Sequence, residues 1–270
     1  MRVVAGALLV ASSAPAAPPA LEVVPGTVVR WAGEDLAACQ RGERRWEPLD
    51  GACLFPIDLL EERPRFELLR WTSAPSPESL AVTVADYPYR VQELQLPDDR
   101  MVHLSEADLA RVLREQEELR PLWEREGERR FTLPLAAPLE SLPAAGRFGA
   151  RRIINGEPRN PHSGADYAAP AGAPVRSVAP GIVAFTGEHF FAGRSVFVDH
   201  GDGLISMYLH LSRIDVAVGQ EVDAGQRVGA VGSSGRATGP HLHLGIRWHG
   251  ARVDPRALLD PAAIRRVLEE

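Results

Sequence analysis

The 270-residue chain contains no lysine; all 30 of its basic residues are arginine. Carrier domains that tether biotin or lipoate to a lysine side chain are thereby excluded. The strict use of arginine reads as the codon bias of a GC-rich genome. Cysteine is scarce, and nothing after Cys53 supplies a thiolate, so the remainder of the chain cannot build a cysteine-ligated structural zinc site. No arginine run or basic stripe occurs and the formal net charge is −6, which argues against nucleic acid as a partner. No apolar stretch reaches the roughly 20 residues that span a bilayer as a helix. Apolar residues at 45% and charged residues at 24% are those of an ordinary globular protein, with length for one large or two modest domains.

The first residues have the order of an export signal. Met1-Arg2 is a short positive region, Val3 to Ala11 is apolar, and Ala14-Pro15-Ala16 offers small residues for cleavage. A signal peptide over 1–16 and a secreted, periplasmic protein are expected. In an exported chain the even pair Cys39 and Cys53 favours a disulfide. A closed loop of about 15 residues contributes roughly 3 kcal/mol on the chain-entropy model.

From about Leu21 to Leu96, short apolar runs such as Val28-Val29 and Leu80-Ala81-Val82-Thr83-Val84 alternate with Pro25-Gly26, Gly33 and Gly51. Short strands parted by turn residues predict a small β-sandwich over 17–98. A helix-containing linker is expected over 99–145. Ser105-Glu106-Ala107-Asp108 can cap that helix, and Leu109, Val112, Leu113, Leu119 and Leu122 follow helical spacing. It reads equally as a strut between domains or as part of one core. From Gly146 to about 261 glycine and valine dominate, predicting a β-rich domain of short strands with one short helix after Asp254-Pro255; 262–270 reads as a tail. Gly172-Ala173-Pro174-Val175 with Gly181-Ile182-Val183 echoes Gly219-Gln220-Glu221-Val222 with Gly225-Gln226-Arg227-Val228, as a sheet folded over on itself would. The fold class is mainly β.

Seven of the eight histidines lie at or beyond His162. His241 and His243, at i and i+2 in an expected strand, project from one face toward one place. His162 and Asp166 would stand about 13 Å apart in a straight strand, but a chain bent at Gly164 can turn both to one ion. Imidazole nitrogen and carboxylate oxygen are ordinary zinc ligands.

Taken together, Gly164-Ala165-Asp166-Tyr167, Tyr208-Leu209-His210-Leu211 and Ser233-Ser234-Gly235-Arg236-Ala237-Thr238-Gly239-Pro240-His241-Leu242-His243 resemble the lysostaphin-type zinc endopeptidases, which cut peptide bonds in bacterial peptidoglycan. The resemblance covers about Phe148 to Leu259. It implies one Zn2+ held by His162, Asp166 and His243, and catalytic roles for His210 and His241. Three protein ligands leave a fourth position for water, whose pKa the metal lowers toward about 7. One histidine would then act as general base and the other as donor to the developing oxyanion; the sequence does not say which. Tyr208, on the expected strand face of His210, is a candidate to line the cleft, with core packing as the alternative. His200 resembles a structural position, and His189 and His249 read as surface residues. Pro25-Gly26 and Tyr87-Pro88-Tyr89-Arg90 resemble the immunoglobulin-like domain that precedes some of these peptidases. Such a domain could shield the groove and leave the enzyme latent.

Peptidoglycan peptides are the implied partner, with the D-alanine–diaminopimelate cross-link favoured over glycine bridges; a regulatory partner and the oligomeric state are left open. Two other readings share the pattern: a non-catalytic peptidoglycan-binding or amidase-activating protein, and an amidase cutting between sugar and peptide. The complete set of five residues argues against the first, and the family resemblance alone argues against the second.

Overall fold

The computed structural model describes residues 20–96, 99–144, 146–260, 262 and 265–266; the expected signal peptide lies outside the described residues. Residues 21–84 form two sheets around a common core. One runs in the order Leu21–Val23, Glu78–Val84, Arg65–Trp71, Ala38–Arg41, Arg44–Trp46, and the other pairs Val28–Ala32 with Ala52–Pro56. Val23, Leu68 and Val82 from the first pack with Val29, Trp31 and Phe55 from the second. A disulfide between Cys39 and Cys53 ties the two sheets together, with Cα atoms 5.3 Å apart.

The chain leaves this sandwich earlier than its apolar pattern suggests. Val91–Leu94, expected within it, pairs in parallel with Arg151–Ile154, beside Glu157–Arg159. The reverse tie also exists: Arg265–Arg266, in the expected tail, pairs in parallel with Val29 and Arg30. The helix Glu106–Leu119 starts where its capping residues place it, Ser105 Oγ accepting the Asp108 N–H at 3.1 Å. It buries only Val112 and leaves Leu109 and Leu113 about half exposed. A 3-10 turn, Arg120–Glu124, follows. It seats Leu122 among Phe185, Phe197 and Ile205, so this segment docks on the C-terminal part.

That part is a large sheet folded against a small one. The large sheet has the order Gly164–Ala168, His241–Trp248, Leu204–Leu211, Gly193–Asp199, Gly181–His189, Glu221–Val222, with Ala251–Val253 also paired to His241–Trp248. The small sheet joins Pro174–Arg176, Arg227–Ala230 and Arg213–Ile214. The sequence echo has a direct cause here: the first copy pairs with the second, strand to strand, Pro174–Arg176 with Arg227–Ala230 and Gly181–His189 with Glu221–Val222. One face of the large sheet is apolar. Ala165, Tyr167, Leu242, Leu244, Ile246, Val196 and Val198 form a core with Val175 and Val228 of the small sheet. The opposite face carries the alternate residues of the same strands, and among them are Asp166, His241 and His243. The short helix Pro255–Leu259 is capped by Asp254, whose carboxylate accepts the Arg256 N–H.

Candidate metal centre

Asp166 and His243 are directly opposite one another in the antiparallel pairing of Gly164–Ala168 with His241–Trp248, and His241 stands opposite Ala168. Opposed residues share a face, so register alone turns Asp166, His241 and His243 to the same side. His162 enters from the coil just before the strand. Its backbone is pinned by His162 N–H donating to the Ala150 carbonyl at 2.9 Å and its own carbonyl accepting from Gly149 N–H at 2.7 Å.

Three donor atoms meet there. His162 Nε2 lies 2.9 Å from His243 Nδ1 and 3.0 Å from Asp166 Oδ1, and His243 Nδ1 lies 2.9 Å from the same oxygen. A tetrahedral ion with bonds of about 2.0–2.1 Å holds its donors roughly 3.3 Å apart, close to the observed triangle. These three residues are the cluster that could hold a metal ion among the described residues. His162 Nδ1–H donates to the Arg147 carbonyl at 3.0 Å, which leaves Nε2 as the ligating atom, the usual device for orienting a ligand imidazole. Two imidazoles and one carboxylate fit zinc with a position left open.

Electrostatics point the same way. Burial alone would raise the Asp166 carboxyl, but the hydrogen bonds and charges of His162 and His243 outweigh it and hold it far below the usual carboxylate range. Burial pulls His162 down to about 4. Burial, reinforced by His243 and His241, pulls His210 down to about 3. Both shifts favour the neutral ring at pH 7, the form in which an imidazole can bind a metal or accept a hydrogen bond.

His210 and His241 flank the triangle. Their ring centroids are 5.0 Å apart, His210 is 5.9 Å from His243, and His241 Nε2 is 3.7 Å from Asp166 Oδ1. One loop, residues 231–240, orients both: His210 Nδ1–H donates to the Ser234 carbonyl and His241 Nδ1–H to the Gly239 carbonyl, each at 2.8 Å. Each ring then presents Nε2 outward. The cleft beside them measures about 370 Å³, and its lining includes Arg147, Arg152, Asp166, His210, Arg236 and His241. Arg147, Arg152, Ser234, Arg236 and Gly239 were not singled out from the sequence. Arg236 and the two accepting carbonyls lie inside the same motif, but nothing in residue type marks a backbone carbonyl as an imidazole's partner.

Tyr208 does not line this cleft. It is wholly buried in the apolar core, where its Oη accepts the Val178 N–H at 2.8 Å and lies 3.0 Å from Ser206 Oγ. The expectation failed because strand alternation breaks between Tyr208 and His210. Arg194 pairs with Leu211 but Val196 with Tyr208, so one residue is inserted. His210 takes up that bulge at φ 62°, which rotates it from the core face to the metal face. Gly164 opens its strand with a φ outside the left-handed range. Its missing Cβ is what admits the His243 ring and the Leu244 carbonyl.

Two further histidines differ from expectation. His189 is buried, and His249 is half-buried with its ring largely covered, rather than both lying on the surface. His189 Nε2 lies 3.2 Å from Glu118 on the linking helix, and His249 stacks between Trp46 of the sandwich and Trp248. His200 is fully buried, its Nδ1–H donating to the Pro180 carbonyl at 2.7 Å and its Nε2 2.7 Å from Ser206 Oγ.

Known proteins resemble this part of the chain in sequence. Residues 160–255, which span all three donors and both flanking histidines, match the model of peptidase family M23. Peptidoglycan DD-endopeptidase ShyA of Vibrio cholerae is 46% identical over 94 residues, 35% of this chain and 22% of that protein. DD-carboxypeptidase/endopeptidase Mpg of Neisseria meningitidis is 44% identical over 100 residues, 37% of this chain and 23% of that protein. The chain thus matches about a fifth of the length of these curated relatives. A crystal structure from Pseudomonas aeruginosa, assigned to peptidase M23, agrees over a much greater extent. It has 31% identity and a TM-score of 0.64, and the match covers 87% of this chain and 94% of that one. With likeness to that structure over 87% of this chain, and a family match that spans the donor triangle, the chain belongs to peptidase family M23.

Proposed function

We propose that this protein is an exported, zinc-dependent endopeptidase that hydrolyses peptide cross-links of bacterial peptidoglycan, with the D-alanine–diaminopimelate bond as its target. The observation that carries the reading is the triangle of His162 Nε2, Asp166 Oδ1 and His243 Nδ1, with edges of 2.9–3.0 Å, beside two further histidines on an open cleft. The names of the Vibrio and Neisseria relatives supply the substrate class.

In this reading His162, Asp166 and His243 hold one zinc ion. When bound, zinc supplies a Lewis acid that polarises the scissile carbonyl and makes water acidic enough to attack near neutral pH. His241 Nε2, its other nitrogen committed to Gly239, takes the proton of that water and returns it to the leaving amine. His210, its Nδ1–H committed to Ser234, presents a lone pair at Nε2. It accepts a hydrogen bond from the attacking water and orients it, so the two rings act on the same water. The αL backbone of His210 is strain held where the chemistry needs that ring.

The test is digestion of purified sacculi by the zinc-loaded full chain, with the products identified by mass spectrometry. Conversion of cross-linked dimers to monomers bearing a new D-alanine terminus is expected. Release of intact stem peptides from the sugar would make it an amidase instead. No change in the sacculi, with or without zinc, would favour a non-catalytic activator.

A further inference from the structure

Several part-buried arginines of this protein are paired with an acid: Arg129 with Asp202 at 2.8 Å, Arg252 with Asp58 at 3.1 Å, Arg41 with Glu61. Arg236 is different. It lines the catalytic cleft with its guanidinium stacked 4.2 Å above the Phe191 ring, and no described carboxylate lies within ion-pair distance of it. Its near neighbours are cations: Arg152 and Arg159 add to burial in lowering its pKa to about 10. Among the described residues the only acid on the cleft wall is Asp166, which is engaged with His162 and His243 and lies 3.5 Å from Arg152. Even that contact leaves the buried Arg152 Nε without a partner.

The loop that carries Arg236 is firmly held. Arg236 N–H donates to the Phe191 carbonyl at 2.9 Å, Ser234 Oγ donates to the Leu211 carbonyl at 2.8 Å, and Gly235, at φ 69°, packs its Cα side against Gly193. Arg236 therefore stands at a set place five residues before His241. Arg247 also stacks on an aromatic ring, Trp123, without an acid, but it lies outside the cleft; stacking alone makes no site. Desolvating a guanidinium with no counter-ion is costly. A fork of donors pointing into a substrate cleft has its natural partner in a carboxylate.

We propose that Arg236 is a specificity-determining residue that pairs with a free carboxylate of the peptide substrate, close to the bond being cut. The inference rests on the endopeptidase reading and narrows it: neutral peptides such as glycine bridges lack the group that Arg236 awaits. Stem peptides cross-linked through a diamino acid offer two such groups, the carboxylate of that diamino acid and the carboxylate of the terminal residue.

The experiment compares three synthetic cross-linked dimers with the zinc-loaded full chain: one with both carboxylates free, one amidated at the diamino acid and one amidated at the terminus. Loss of a charge-assisted pair predicts a drop of roughly 10- to 100-fold in kcat/KM for one amidated dimer, carried mainly by KM. The dimer that suffers the drop identifies the carboxylate. Arg236→Gln should cut the fully free and the affected amidated dimer equally well, and Arg236→Lys should restore part of the preference. Equal cleavage of all three dimers by the wild type would overturn the inference while leaving the endopeptidase reading intact. So would a preference that survives in Arg236→Gln. Cleavage of none of the three would overturn both.

Discussion

Asp166 and His243, 77 residues apart in the chain, are direct partners across an antiparallel strand pair, and Asp166 Oδ1 lies 2.9 Å from His243 Nδ1. The metal centre is therefore as rigid as the sheet that carries it. Two of its three donors come from adjoining strands, and the third is pinned by backbone hydrogen bonds on both sides. Sites on regular elements hold their geometry better than sites on loops.

This relationship makes Gly164 a sensitive position. A Cβ there would run into the His243 ring and stand 2.6 Å from the Leu244 carbonyl. Gly164→Ala should cost about 1–3 kcal/mol through overpacking and weaken zinc affinity by at least about tenfold through displacement of a ligand ring. Gly127→Ala, where a Cβ meets nothing within 4 Å, should do neither. Denaturant titration and competition with a zinc-binding dye read both effects.

The Cys39–Cys53 bridge joins the two sheets of the N-terminal sandwich. Reducing it, or making Cys39→Ser with Cys53→Ser, should lower stability by roughly 3 kcal/mol and leave the metal content of the protein unchanged. A thermal melt with and without reductant measures the first, and metal analysis the second.

His249 predicts an acid sensitivity that does not pass through the metal. Burial, followed by the charges of Arg44 and Arg129, lowers its pKa to about 3, and neither ring nitrogen has a hydrogen-bond partner. The unfolded value is about 6.5. Between these values the unfolded chain binds more protons than the folded one, so stability rises with pH across the window. His249 thus destabilises the fold as pH drops from 6.5 toward 3 and has no effect above 6.5. Urea denaturation from pH 7.5 to 5 should show a smaller loss in His249→Asn, a residue that tolerates the φ of 48° found there, than in the wild type.

Much of the site was legible because its spacing has physical meaning. His241 and His243 had to share a face once they lay in a strand, and they do. Asp166 could be grouped with them only through a resemblance, since no local pattern reports a register across 77 residues. Tyr208 misled because two-residue periodicity assumes an unbroken strand, and a bulge at His210 is silent in the sequence. His189 and His249 were misplaced because histidine in a polar turn reads as solvent-exposed until another segment packs over it: the Glu106–Leu119 helix in one case, Trp46 in the other. Val91–Leu94 carries an ordinary strand pattern, and its partner lies some 60 residues downstream rather than in the adjoining sandwich. Arg236 was hidden for a simpler reason: an arginine without an acid partner is visible only when all its neighbours are placed.

Metal content and hydrolysis, measured together on His241→Ala and His243→Ala, bear most directly on the proposed chemistry. His241→Ala should retain one zinc per chain and lose sacculus hydrolysis by a factor of about 10² or more, whereas His243→Ala should lose both the metal and the activity. Full hydrolysis by either variant, or a wild-type protein that binds no zinc and ignores chelators, would contradict a metal centre built from His162, Asp166 and His243.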